Sequence, residues 1–315
     1  MFTNLSSNCH LVVMERSTNC FSSIRMTKPT TLVLLPGLDG TEVFFRPLLE
    51  SLPQSVRPLI VRLPASGPNA YADLLAAVRT AVSECPACYV LGWSFSGPLA
   101  LMLAAVEPTK VRGVILLATF IRPPHPLLVQ WRFAATTPLI WMVRVGRRVP
   151  VWLFRRPTDR VRCDKAETWK RVGSRVVAAR VRAILTVDVR EQLARCRSPI
   201  LYLAGSDDDV VPPRNIAEIL QVRPSVQVRT IEGGHLAMYT NPEAAARIIM
   251  KFIVQKESAS RDVAYSGLHL LATLFGMNVG GIPLAAHGHG FLIVVGILLI
   301  LTAVLAYVAL GRRQD

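Results

Sequence analysis

From residue 30 onward, short apolar runs alternate with longer stretches whose apolar residues recur at helical spacing, the rhythm of a parallel sheet joined by helices. The pattern predicts strands at about residues 31–35, 58–62, 89–92, 111–118, 200–204 and 226–231. The first four are almost uninterrupted apolar runs, which suits strands covered on both faces. Ala- and Leu-rich stretches ending at Pro or Gly predict helices at 71–84, 97–106, 214–221 and 242–255. The expected fold class is α/β, a mostly parallel sheet with helices on both faces.

Residues 120–197 break this rhythm. They hold four of the five tryptophans, Trp131, Trp141, Trp152 and Trp169, and mix Val, Ala and Arg in a helical manner at 143–148 and 171–182. This insert reads as a helical cap over the sheet, inside a domain of residues 29–256. Residues 1–28 are polar and stay unassigned, with 10–15 a candidate edge strand. They lack the apolar run of a secretory signal.

Charge sharpens the picture of the insert. The chain carries a formal +15, yet residues 119–198 hold 18 Lys and Arg against five acids, and the rest, with 18 bases and 16 acids, is close to neutral. No zinc spacing, RNA-binding aromatic signature or basic zipper accompanies the charge, so a nucleic-acid partner is not expected. Tryptophan and arginine together suit either an anionic membrane face or a solvated lid whose arginines pair with acids.

The C-terminal part, residues 257–315, contains no charged side chain between 263 and 311. Residues 291–310 are 20 apolar residues, about 30 Å as a helix, which predicts a transmembrane segment anchoring the chain. A buried C-terminal helix is the bland alternative. Residues 268–275 form a second apolar run, too short to cross alone but able, with 263–267, to make half of a tight hairpin.

The six cysteines are too sparse for a disulfide scaffold. Cys85 and Cys88 have redox spacing but lie between a helix end and a strand, which reads as coincidence. His10, His125, His269, His287 and His289 make no spaced metal site, and neither metal nor cofactor is expected.

The strongest chemical signal is Gly92-Trp93-Ser94-Phe95-Ser96-Gly97. An apolar strand runs through Gly-x-Ser-x-small straight into an Ala/Leu helix, as in a nucleophile elbow. Ser96 stands where glycine is usual and reads as a small packing residue. Trp93 packs beside the site or walls an acyl pocket. A second strand ends in Gly205-Ser206-Asp207-Asp208-Asp209, and a third in Glu232-Gly233-Gly234-His235. Serine, aspartate and histidine thus follow in chain order, each just past a strand's C-terminal end.

On these motifs, residues 30–255 resemble the α/β-hydrolase superfamily. The resemblance implies that Leu34-Leu35-Pro36-Gly37-Leu38-Asp39-Gly40 is the oxyanion loop, with Pro36 where histidine is commonest. It also implies Asp208, rather than Asp207 or Asp209, as the acid, by the spacing from Gly205 and Pro212. Ser94 would then be nucleophile, His235 base and Asp208 its orienting carboxylate, with the backbone N–H groups of Leu38 and Phe95 as oxyanion donors. The intermediate is an acyl-serine opened by water, or by another acceptor in an acyltransferase.

Gly276-Met277-Asn278, then residues 291–310, then Arg312-Arg313 resemble the end of CorA-type divalent-cation transporters. A long funnel and a full first pore helix are missing. The tail therefore reads as a membrane anchor or a fused remnant, and a transport-like protein with a passive hydrolase-like domain is the alternative from a different class. The expected partners are a small acyl ester and the lipid bilayer, with the hydrolase domain on the cytoplasmic side. One or two passes, oligomeric state and substrate stay open.

Overall fold

The computed structural model describes residues 29–145 and 159–276, together with residues 296, 300 and 303. Six strands, β1 (Thr30–Leu35), β2 (Val56–Ile60), β3 (Cys88–Trp93), β4 (Val111–Leu117), β5 (Ile200–Gly205) and β6 (Gln227–Ile231), form one sheet in the order β2-β1-β3-β4-β5-β6. Every neighbouring pair is parallel. The chain adds β2 on one side of β1 and β3 on the other. The direction of winding therefore reverses between β1 and β3, where α/β sheets open a crevice at their carboxyl ends.

The apolar runs divide between two cores because successive strand side chains point to opposite faces. One face buries Val33, Leu35, Val90, Val114, Leu116 and Tyr202. It is covered by α2 (Tyr71–Ala81), α3 (Gly97–Val106), α7 (Arg190–Arg195) and α8 (Arg214–Val222). The opposite face buries Leu32, Leu34, Tyr89, Leu91, Ile115 and Leu203. It lies against α1 (Arg46–Ser51), α9 (Ala237–Thr240) and α10 (Pro242–Gly276).

Strand β2 lies two residues earlier than its apolar run suggests. Pairing with β1 sets the register, from Thr30 opposite Val56 to Leu34 opposite Ile60. Arg57 and Pro58 are exposed, as an edge strand allows, and a proline that donates no ladder hydrogen bond is tolerated there.

The cap comprises a 3-10 stretch (Pro126–Ala134), α4 (Thr137–Val145), α5 (Asp159–Arg171) and α6 (Ser174–Thr186). The helical pattern read across 171–182 is two helices, because Gly173 leaves the helical region (ψ 152°) between them. Helix α5 is clasped to the body. Arg46 of α1 donates to both oxygens of Glu167 at 2.7 Å, Arg171 donates to Glu42 at 2.7 Å, and the Tyr239 hydroxyl donates to Asp164 at 2.6 Å.

Helix α10 does not end near residue 255 as the sequence pattern suggests but runs 35 residues to Gly276. No Gly or Pro interrupts residues 243–266, and Glu257, in the polar stretch, is paired with Arg112 and Tyr89 at 2.9 and 3.1 Å. Among the described residues no helix is long and apolar enough to cross a membrane. The expected transmembrane segment 291–310 lies outside the described residues apart from 296, 300 and 303, as does the extension 1–28.

Candidate active site

The elbow owes its shape to three small contacts. Ser94 sits at φ 51°, in the left-handed region that L side chains rarely adopt. A Cβ on Gly92 would press into the Ser96 carbonyl and lie 2.9 Å from Ala100 Cβ, while one on Gly97 would run into the Thr119 side chain. Gly92 therefore lets α3 start close against β3, and Gly97 lets the same helix pass Thr119, just after β4. The Thr119 hydroxyl donates to the Ser94 carbonyl, and the Tyr202 hydroxyl fixes Thr119 by accepting from its N–H at 3.1 Å and donating to its carbonyl at 2.8 Å. Next in the chain, Phe95 stacks on Tyr71 (centroids 4.9 Å apart), whose hydroxyl donates to the Phe95 carbonyl at 2.8 Å. Burial of Tyr71 pushes its phenol well above the ordinary value, so it stays a donor.

The other two loops meet through glycine as well. A Cβ on Gly205 would collide with the carbonyls of Gly233 and Gly234, so the loops after β5 and β6 interlock only with glycine there. Backbone bonds from Ser206 N–H to Ile231 O and from Asp207 N–H to Gly233 O, both 2.9 Å, hold them together. The Asp208 carboxylate accepts from the N–H groups of Val210 and Val211 at 2.9 Å and lies 3.0 and 3.2 Å from His235 Nδ1. His235 Nε2 lies 2.9 Å from Ser94 Oγ. The His235 and Asp208 side chains are 8 % and 6 % exposed, dry enough for their mutual attraction to be weakly screened. Trp93 flanks the imidazole at 6.0 Å between ring centres. Of the three consecutive aspartates, Asp208 faces the histidine, while Asp207 accepts from the Ser206 hydroxyl at 3.1 Å.

The loop after β1, residues 36–41, is pinned from two sides. The buried Ser96 hydroxyl donates to the Pro36 carbonyl, so serine at the usual glycine position ties the elbow to this loop. From the cap, Arg180 donates to the Leu38 carbonyl at 2.9 Å. Within the loop, the Gly40 N–H reaches the Gly37 carbonyl at 2.9 Å, and Asp39 accepts from the N–H and hydroxyl of Thr41. Burial raises the Asp39 carboxyl above its usual pKa despite those bonds.

The sequence motifs point to Ser94, Asp208 and His235, which lie together. They do not point to Thr119, Tyr71, Asn69 or Arg180. For Arg180 one signal exists, because it shares the buried stripe of α6 with Val176 and Ala183, an arginine at a position that ought to be apolar. Of the Cys85–Cys88 pair, Cys88 is buried, and that burial pushes its thiol up to about 12. His125 lies 3.0 Å from the Val210 carbonyl, and the described residues contain no group of side chains fit to hold a metal.

With this geometry in view, the likeness to known proteins is informative. The sequence profile of the alpha/beta hydrolase family matches residues 32–248. The chain is an alpha/beta hydrolase. Poly(3-hydroxyalkanoate) depolymerase of Ectopseudomonas oleovorans is 26 % identical to this hydrolase over 252 residues, covering 75 % of this chain and 89 % of the relative. A pimeloyl-[acyl-carrier protein] methyl ester esterase of Xylella fastidiosa (strain M23) is 26 % identical over 248 residues, covering 70 % and 94 %. The crystal structure of a hydrolase from Pseudomonas aeruginosa PA01 superposes with a TM-score of 0.63 at 20 % identity, over 71 % of this chain and 89 % of that one, a likeness of fold. The family match stops at residue 248, and the likeness of the tail to CorA-type transporters gains no support from these relatives.

Proposed function

We propose that this hydrolase cleaves carboxylic esters through an acyl-serine intermediate on Ser94. The observation that carries the reading is the unbroken relay from Asp208 through His235 Nδ1 and Nε2 to Ser94 Oγ, at 3.0 and 2.9 Å. Serine is a weak nucleophile at neutral pH and needs a base within hydrogen-bond reach. His235 takes the Ser94 proton as Oγ attacks the ester carbonyl, then hands it to the departing alkoxide. Asp208 holds the imidazole with Nδ1 protonated and stabilises the cation formed in passing. The N–H groups of Leu38 and Phe95 receive the oxyanion, where loss of one donor costs about 2.7–4 kcal/mol of transition-state stabilisation. Water, deprotonated by His235, opens the acyl-enzyme. The methyl ester esterase among the relatives is named for ester cleavage, which supports an ester carbonyl as the reacting group.

A nitrophenyl ester series tests this. The full chain turns over, and Ser94→Ala and His235→Ala each lose at least about a thousandfold in kcat. Equal turnover by either folded variant rules the mechanism out.

The bilayer belongs to the same proposal. Residues 291–310 have the length and composition of a span, and the cap exposes Leu127, Trp141 and Met142 within a strongly basic insert. Ester substrate then reaches Ser94 close to a lipid surface, from a domain held on the cytoplasmic side.

A further inference from the structure

The mechanism leaves one large charged side chain without a task. Arg180 is 0 % exposed and heads the fully buried side chains by size among the described residues. Its guanidinium donates from Nε to Asn69 Oδ1, from Nη1 to the Leu38 carbonyl and from Nη2 to the Pro64 carbonyl, each at 2.9 Å. None of these acceptors is a carboxylate. Burial pulls its pKa down to about 10, partly offset by the nearby Asp39, so it remains a cation throughout the neutral range. A buried charge carries a desolvation penalty that an apolar side chain on this stripe of α6 would avoid.

What the charge touches explains its presence. Leu38 supplies the proposed oxyanion N–H, and its own carbonyl is held by Arg180. Gly40, at φ 71°, leaves room for the guanidinium, since a Cβ there would approach Cζ to 2.8 Å. The planar fork thus bridges the loop after β1, the Pro64–Asn69 loop and the cap, fixing directions that a single-point ammonium cannot.

We propose that Arg180 is a positioning residue for the oxyanion hole. By holding the Leu38 carbonyl it fixes the backbone on the C-terminal side of Leu38, and with it the direction in which the Leu38 N–H points. Because it stands on α6, the oxyanion loop takes its working form only with the cap docked. The inference rests on the Ser94 acyl-enzyme reading.

The test compares Arg180→Met and Arg180→Lys with the wild type in the full chain, using matched oxoester and thionoester substrates. A thiono sulfur accepts hydrogen bonds poorly, so its turnover depends less on oxyanion donors. Arg180→Met is expected to lower oxoester kcat by about tenfold to a hundredfold, and thionoester kcat much less. KM stays within about threefold, the mark of an interaction made in the transition state. Arg180→Lys, with its charge but not its fork, falls between. A folded Arg180→Met that keeps wild-type kcat, or loses both substrates equally, overturns the proposal. If Arg180→Met does not fold, the oxoester-to-thionoester ratio of Arg180→Lys decides: a reduced ratio supports the role, an unchanged one overturns it. A wild type that acylates Ser94 while the ratio ignores Arg180 sinks this inference alone. A wild type that never acylates Ser94 sinks the reading beneath it.

Discussion

At residue 94 the backbone holds a side chain at φ 51°, a conformation that costs a non-glycine residue of order 1–3 kcal/mol. The surroundings enforce it through the Thr119 hydroxyl on the Ser94 carbonyl and the bare Cα atoms of Gly92 and Gly97. Strain of this kind gives a clean comparison between two variants that both lack the hydroxyl. Ser94→Gly should unfold in urea at higher stability than Ser94→Ala, by about 1 kcal/mol, because only glycine accepts this φ freely. The acid is assigned by substitution as well. Asp208→Asn should lower kcat by about a thousandfold to ten-thousandfold, while Asp207→Asn and Asp209→Asn stay within a few-fold, read as nitrophenyl ester turnover. Ser94, Asp208 and His235 are legible from sequence because each sits in a short motif whose local geometry is stereotyped. Arg180, Thr119 and Tyr71 are not, because their roles come from contacts with carbonyls 142, 25 and 24 residues away.

At the scale of elements, the sheet and its main helices follow from apolar periodicity, since strands buried on both faces leave an uninterrupted signal. The differences arise where pairing or long-range contacts decide. Strand β2 takes its register from β1, Gly173 divides the cap helices, and the polar middle of α10 is kept helical with Glu257 paired to Arg112. The close packing of α3 on Thr119, just after β4, yields a prediction. Gly97→Ala must displace the Thr119 side chain and should lower stability by about 1–3 kcal/mol, measured by thermal melting, with a parallel loss of turnover. The cap clasp yields a pH prediction. Hydrogen bonding to Arg46, helped by the charges of Arg46 and Arg171, holds the Glu167 carboxyl below its usual 4.5. A depressed acid stabilises fully above its unfolded value and loses that contribution as pH falls through the folded one. Stability should therefore decline in acid below about pH 4.5, and Glu167→Gln should flatten that decline, costing at most about 1 kcal/mol at neutral pH because the pair is partly exposed.

For the whole molecule, the organisation fits together as a rim at the switch between β1 and β3 that brings Ser94, His235 and Asp208 together, a cap wired to that rim through Arg180, and a C-terminal stretch, residues 263–311, without charged side chains. Shortening the chain to residue 276 keeps α10 and its Glu257 pairing. It should leave hydrolysis of a water-soluble ester unchanged while abolishing co-flotation with anionic vesicles. Full retention on vesicles would instead assign membrane contact to the cap. The central claim, that Ser94 is the acylated nucleophile, is tested most directly by treating the full chain with a fluorophosphonate and mapping the adduct by peptide mass. The account predicts one adduct, on Ser94, lost in Ser94→Ala and strongly slowed in His235→Ala. A folded chain that reacts at no serine, or at Ser96 instead, contradicts it.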